Sequence, residues 1–330
     1  MLDPLRRWSG IGEKPDYAGP LSYGGVPYTQ DPSELGGADV VIVGAPTDAL
    51  VSDRPGTRFA PRAIRAASCP PGPNLETGVD AFAELQVLDF GDAPVVPADP
   101  ARSHATIEET VGQVLAAGAL PMVLGGDHSI TEANARACAA VHGPLGLVHF
   151  DTHADTGAQV FGVEISHGTI MRRLVEDGHV APNRYAQVGL RGYWPGGKEF
   201  SWQAEHGITS LFMHDVRDLG IGEVVRRVVE AVGLGAIFLT VDIDVLDPVF
   251  APGTGTPEPG GMTTSELLWA VREVALRTEV IGADVVEVIP TGVGSADVTA
   301  LAADRVVREI VGGIALRRNE AFGGRAWSNR

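Results

Sequence analysis

The chain has 330 residues, 44% of them hydrophobic, and a net charge of −17. That length buries one large core or two smaller ones, the acidic balance opposes binding to nucleic-acid phosphates and serves solubility, and no apolar run approaches the roughly 20 residues of a membrane span. Cys69 and Cys138 are too far apart in sequence to form a disulfide framework, and the opening MLDPLRRWSG has no signal-type apolar stretch, so the expectation is a cytoplasmic protein with free thiols.

Residues 1–38 are rich in Gly, Pro and Tyr without periodicity and read as an N-terminal arm or lid. From residue 39 to 315, short apolar runs alternate with helix-like stretches, as expected of one catalytic domain. The runs are Val40–Val43, Gln86–Leu88, Pro121–Leu124, Leu145–Phe150, Tyr185–Gly189, Thr209–Phe212, Ala236–Val241 and Ile281–Val288. Helices are predicted near His104–Ala117, Ile130–His142, Thr169–Asp177, Gly197–Glu205, Glu223–Val232, Thr264–Arg277 and Ala296–Ile314. Repeated strand–helix–strand order implies a mostly parallel sheet with helices on both faces. Runs apolar on consecutive residues, such as Ile237–Val241, suit strands buried on both faces. Residues 316–330 read as a mobile basic tail.

Parallel sheets bind ligands at the carboxyl ends of their strands. Three predicted strand ends carry polar clusters: Gly125-Gly126-Asp127-His128-Ser129, Asp151-Thr152-His153-Ala154-Asp155, and Asp242-Ile243-Asp244. Residues i and i+2 of a strand share a face, so Asp151 should point with His153, and Asp242 with Asp244. Four carboxylates in one place repel unless a cation neutralises them. Two imidazoles with four carboxylates exceed the needs of one ion and suit two divalent ions sharing bridging carboxylates. Such oxygen-rich ligation fits manganese ahead of nickel, iron or zinc. Each motif has a plainer reading alone: GGDHS could be a tight turn with Ser129 capping the next helix. The combination points to metal binding. Asp127 and Asp247 read as supporting or turn residues. The remaining histidines (104, 142, 149, 179, 206, 214) lack strand-end partners and read as surface or core residues.

These motifs, with SHGT at 166–169, VDIDVLDPVFAPGTGTPEPGG at 241–261 and DVVEVIP at 284–290, resemble those of the ureohydrolase family of arginases and agmatinases. The resemblance implies a three-layer α/β/α sandwich around an eight-stranded, mostly parallel sheet, the arginase-like fold. It implies one metal on His128, Asp151, Asp155 and Asp242, and a second on Asp151, His153, Asp242 and Asp244. His167 matches the family's proton-shuttling histidine, Glu287 the carboxylate that grips the guanidinium, and Thr256 a threonine beside the substrate. On residue chemistry alone, His167 could serve local hydrogen bonds and Glu287 could pair with Arg191. A homo-oligomer, trimer or hexamer, is also implied by the resemblance.

Loop 156–165 lacks the Asn- and Ser-rich pattern that arginases use for an amino acid, whereas GTGTPEPGG is similar to the agmatinase branch. The expected substrate is therefore a small guanidino compound, agmatine first, with guanidinobutyrate or guanidinopropionate as the alternative. Guanidine hydrolysis, a metal-dependent deacetylase and a non-catalytic paralogue stand further back. Residues 290–297 replace the Pro-Pro-Tyr-Asp-His run common in that branch, which ties tail specificity to this loop if it meets the substrate.

Overall fold

The computed structural model describes residue 15, residues 18–68 and residues 72–321. Cys69, most of the first 17 residues and the tail beyond 321 lie outside the described residues. The strands are β1 (Val40–Ala45), β2 (Val87–Asp92), β3 (Leu120–Gly125), β4 (Leu145–Phe150), β5 (Val180–Leu190), β6 (Thr209–Phe212), β7 (Ala236–Asp242) and β8 (Glu279–Val286). The helices are α1 (Ala60–Ala67), α2 (Ala81–Glu84), α3 (Pro100–Ala116), α4 (Ile130–His142), α5 (Ile170–Glu176), α6 (Gly197–Glu205), α7 (Met213–Leu219), α8 (Ile221–Val232), α9 (Thr264–Arg277) and α10 (Val298–Ala321).

The eight strands make one sheet in the order β2-β1-β3-β8-β7-β4-β5-β6, and every pairing is parallel. Alternation of side chains splits strands β1–β5, β7 and β8 between two cores. In β1, Val40 and Ile42 join Ile64, Val228, Leu267 and Val306, which come from α1, α8, α9 and α10. Val41 and Val43 join Ile107, Ile130 and Leu174 from α3, α4 and α5 on the other face. The expected three-layer sandwich results, because strands apolar on both sides must be covered on both sides.

All eight predicted strands are present, with ends moved by up to five residues. Helices α1, α2 and α7 were not predicted; each is eight residues or shorter, too short to display a helical period. Helix α10 starts at Val298 because Asp297 Oδ1 accepts from the Thr299 and Ala300 N–H groups at 3.1 and 2.9 Å. It runs past the expected end at Ile314 into the stretch read as tail, where Arg318 reaches Asp39 at 2.7 Å. The described part of the arm packs on the domain: Tyr23 is fully buried, its ring 6.2 Å from Phe82 and its N–H 2.7 Å from Asp89 Oδ2.

One glycine decides how β3 delivers its motif. A Cβ on Gly126 would stand 2.2 Å from the Thr47 carbonyl oxygen and 2.6 Å from that of Ala45, both rigid backbone. The chain after β3 can therefore approach the chain after β1 only without a side chain. Gly126→Ala is expected to destabilise the protein by about 1–3 kcal/mol through overpacking. Urea unfolding checks this; a midpoint equal to wild type would show that the backbone yields without cost.

Candidate active site

The four central strands, β3, β8, β7 and β4, each end in part of one polar cluster. His128 follows β3, Asp151, His153 and Asp155 follow β4, Asp242 and Asp244 close β7, and Glu287 follows β8. The six predicted ligands are brought together. His128 Nδ1 lies 3.1 Å from Asp151 Oδ2, 3.0 Å from Asp155 Oδ2 and 3.2 Å from Asp242 Oδ2. His153 Nδ1 lies 3.1 Å from Asp244 Oδ2 and 3.5 Å from Asp151 Oδ1. Asp151 thus turns one oxygen to each imidazole.

The shared direction of these side chains has a different origin from the one expected. Strand β4 ends at Phe150 and Asp244 lies on a 3-10 turn, Ile243–Val245. Turns, not pleats, aim the pairs: Asp151 Oδ1 accepts from the His153 N–H at 2.5 Å, and Asp242 Oδ1 from the Asp244 N–H at 2.8 Å. Aspartate favours this local closure because its short carboxylate reaches the N–H two residues on.

The donor set fits a metal ion. Nδ1 of His128 is fully buried and aligned for a hydrogen bond with none of the three carboxylates around it. Its Nε2 lies 2.9 Å from Thr240 Oγ1, which fixes the ring so that Nδ1 presents a lone pair to the cluster. A second group, Asp151, His153 and Asp244, also has donor atoms close enough to share an ion. Burial pushes Asp242 well above the usual carboxylate range, reinforced by Asp244 and Asp151. Burial and Asp151 lift Asp244 to about 6. Burial also opposes charge on Asp151, but His128 and His149 hold it well below its ordinary value. Burial disfavours charged imidazoles, yet the carboxylates hold His128 and His153 well above theirs.

His167 and Glu287 sit beside this cluster as a pair. His167 Nδ1 lies 2.9 Å from Glu287 Oε1, which also accepts from the His128 N–H at 2.8 Å. Glu287 Oε2 is buried and has no partner among the described residues. His167 Nε2 faces Ser52, 2.7 Å from its Oγ and 3.0 Å from its N–H. Ser52 therefore offers an acceptor to the charged ring and a donor to the neutral one. Burial pulls the His167 pKa down, but Glu287, Asp155 and Asp127 outweigh it and raise it to about 9. Thr256 Oγ1 lies 3.5 Å from Asp244 Oδ2.

Other placements differ from expectation. His149 is fully buried at the cluster: its Nε2 is 2.8 Å from Asp151 Oδ2 and its Nδ1 is 3.0 Å from Tyr185 Oη. It lies one residue inside β4, and its inward side-chain direction follows from alternation with Asp151. Ser129 makes no cap bond; its Oγ meets His104 Nε2 at 3.0 Å, and His104 Nδ1 meets Glu132 at 3.2 Å. The order matches a nucleophile triad in outline, but Ser129 is fully buried, and these contacts tie α3 to α4. Arg191 does not meet Glu287; it donates to the carbonyls of Asp244, Leu246 and Glu258 at 2.8, 3.2 and 2.6 Å. Asp127 accepts from the Ser129 and Leu50 N–H groups, and Asp247 from those of Val249 and Gly260. Both are turn-holding residues, as expected.

A cavity of about 440 Å³ opens onto the cluster, lined by Ser52, His153, Asp155, Gln159, Val160, Phe161, His167, Gly168, Trp194, Asp242 and Thr256. None of the described side chains of loop 290–297 is among its lining residues. The loop folds back on Asp297, whose Oδ2 accepts from the Thr291 and Gly292 N–H groups at 2.5 and 2.8 Å. Ser52 and Trp194 were missed because neither belongs to a motif.

A parallel α/β/α sheet whose central strands end in a histidine–carboxylate centre able to hold metal, with a free carboxylate edge alongside, defines a metal-dependent hydrolase. Residues 38–312 match the model of the Arginase family, and the chain belongs to that family. A Pseudomonas aeruginosa guanidinobutyrase is 39% identical over 282 residues, 85% of this chain and 88% of that protein. A Chromobacterium violaceum agmatinase is 36% identical over 315 residues, 93% of this chain and 92% of that one. Among solved structures, proclavaminate amidino hydrolase from Streptomyces clavuligerus superposes with a TM-score of 0.86 at 35% identity, covering 92% of this chain and all of that one. Among the described residues no helix is long and apolar enough to cross a membrane.

The electrostatics set a pH dependence. A histidine whose folded pKa is raised contributes stability below its ordinary pKa of about 6.5 and loses it as pH passes the folded value. His167, raised to about 9, acts over that window, and His128 and His153 have the same sign. Chelator-treated protein should therefore melt at progressively lower temperature as pH rises from about 6.5 to 9. Saturating divalent metal should reverse the trend, since ligands bind metal in their deprotonated form. Scanning calorimetry across that range checks both signs.

Proposed function

We propose that this chain is a binuclear metal hydrolase that cleaves a linear guanidino compound, agmatine first, to urea and an amine. The observation that carries the reading is the unpartnered Oε2 of Glu287, buried beside His167 at the edge of the His–Asp cluster. A buried carboxylate oxygen without a partner is costly unless a ligand satisfies it. A planar guanidinium, with its rigid fork of donors, suits that edge.

His128, Asp151, Asp155 and Asp242 would hold one ion, and Asp151, His153, Asp242 and Asp244 the other, with Asp151 and Asp242 shared. Manganese suits this oxygen-rich set best, with nickel next. Two such ions, when bound, lower the pKa of water enough to make it a nucleophile near neutral pH. Glu287 orients the guanidinium carbon toward the centre, turning a bimolecular encounter into a positioned one. His167 carries a proton at neutral pH and gives it to the departing amine nitrogen, which is a poor leaving group unprotonated. Ser52 supports the ring before and after that transfer. Thr256 lines the same cavity, beside Asp244.

A guanidino-acid substrate is the second reading, favoured by the likeness to guanidinobutyrase. A deacetylase is disfavoured by the full set of four aspartates, and a non-catalytic paralogue by the retention of every candidate ligand. The family resemblance supports a homo-oligomer, trimer or hexamer.

Asp242→Ala and His153→Ala are each expected to lose bound metal and urea release together. Elemental analysis alongside a urea assay tests this, and full activity in a metal-depleted Asp242→Ala protein would exclude the two-metal reading. His167→Ala should keep its metal and slow turnover by about 10²–10⁴-fold. Turnover equal to wild type would remove His167 from the chemistry.

A further inference from the structure

The outer wall of the cavity is made of Gln159, Val160, Phe161 and Trp194, residues that hydrolysis of the guanidino head does not use. Among the described residues no lysine or arginine lines it, and its two carboxylates, Asp155 and Asp242, belong to the cluster around His128. A substrate tail ending in a carboxylate would be desolvated there without a cation to meet it, at a cost in binding. A tail ending in an ammonium meets aromatic rings instead.

The two rings are placed by the local backbone. Trp194 is seated on two glycines: a Cβ on Gly157 would stand 3.4 Å from the indole and one on Gly168 only 3.0 Å. The other side of its environment is the His153 ring, 6.1 Å away edge to face. Phe161 occupies a two-residue turn closed by reciprocal N–H···O bonds of 3.0 Å between Val160 and Val163. Its φ is +52° and that of Gly162 is +82°, the pattern of a type I′ turn, which bulky residues seldom enter. The phenyl group lines the cavity mouth and is 87% exposed. A large aromatic held in a disfavoured backbone region, in water, at the entrance to a cavity is hard to account for by packing.

We propose that Trp194 and Phe161 recognise the far end of the substrate as a cation, through its attraction to their ring faces, so that the preferred substrates are guanidino compounds whose tail ends in an ammonium group. This rests on the function proposed above. An ammonium over an aromatic face is attracted by the ring quadrupole, most strongly by indole. The net charge of −17 favours approach of such dications over anions.

Three substrates of similar length separate the possibilities: agmatine, pentylguanidine (a methyl in place of the ammonium) and 4-guanidinobutyrate (a carboxylate). Urea release by the manganese-loaded protein is measured for wild type, Trp194→Leu, Trp194→Phe and Phe161→Leu. Wild type should prefer agmatine to pentylguanidine in kcat/KM, and pentylguanidine to guanidinobutyrate. Trp194→Leu should shrink the agmatine-to-pentylguanidine ratio by about 2- to 30-fold, mainly through KM, while Trp194→Phe keeps most of it. Phe161→Leu, at an exposed loop tip, should shrink the ratio in the same sense and covers the case in which Trp194→Leu fails to fold. A ratio unchanged in both leucine variants, or a wild-type preference for guanidinobutyrate, would overturn the proposal while leaving the ureohydrolase reading in place. No urea from any of the three with metal bound would overturn that reading as well.

Discussion

Four aspartates share a volume in which two imidazoles each lie 3.0 to 3.5 Å from two or three of their oxygens. Like charges at such separations cannot all be carried without compensation. The protein gathers them anyway, and the architecture makes this possible. Four adjacent parallel strands at the middle of the sheet all end on the same side, and each end releases a few residues into one space. Helices on both faces bury the strands, so the carboxyl edge is the one place where polar groups can gather. The same burial that pushes Asp242 and Asp244 away from their charged forms makes a dication valuable there.

Backbone strain is concentrated at the same place. Among the described residues, the non-glycine positions with positive φ are Asp155, Phe161 and Glu287, at +50°, +52° and +63°. One is a candidate metal ligand, one the candidate guanidinium acceptor, and the third stands at the cavity mouth. Such conformations cost of order 1–3 kcal/mol each and persist only where the surroundings enforce them. For Glu287 the enforcement is visible. Its N–H donates to the Gly126 carbonyl at 3.0 Å, and its Oε1 accepts from the His128 N–H at 2.8 Å. The loops after β3 and β8 thus hold each other, and Gly126 is what lets them come close.

Much of this was legible in the sequence because parallel strands buried on both faces leave continuous apolar runs, and because each run here ends abruptly in Asp or His. The eight strands and the six clustered side chains follow from that pattern. What was not legible depends on contacts between distant segments. His149 sits on a strand interior among apolar residues, so its sequence neighbourhood looks like core; alternation gives its direction, but its contacts with Asp151 at 2.8 Å and with Tyr185 and Gln187 of β5 at 3.0 and 3.2 Å appear only in the fold. Ser52 and Trp194 reach the cavity from loops with no periodic signal. The atypical 290–297 segment stood out by comparison of motifs, yet Asp297 folds it onto itself, and none of its described side chains lines the cavity. Departure from a family pattern marks where a chain differs, and geometry decides whether that difference touches the site.

Behind the cluster lies a second polar layer, paired at most of its atoms, although Asp284 Oδ1 and Asn134 Oδ1 have no hydrogen-bond partner among the described residues. Asp284, Thr131, Asn134, Thr240 and His149 are all fully buried. Thr131 and Asn134 each donate to Asp284 Oδ2 at 2.9 Å, and Thr240 Oγ1 faces His128 Nε2 at 2.9 Å. In a low-dielectric interior each such group is expensive if left unpaired and strong when paired. An apolar replacement would pack as well and hold nothing. With Thr240 fixing one ring nitrogen of His128 and His149 fixing one oxygen of Asp151, the two groups at the centre of the cluster have little freedom to turn toward each other and collapse. The layer keeps these side chains pointed inward, so their donor atoms stay gathered where a metal ion could be held.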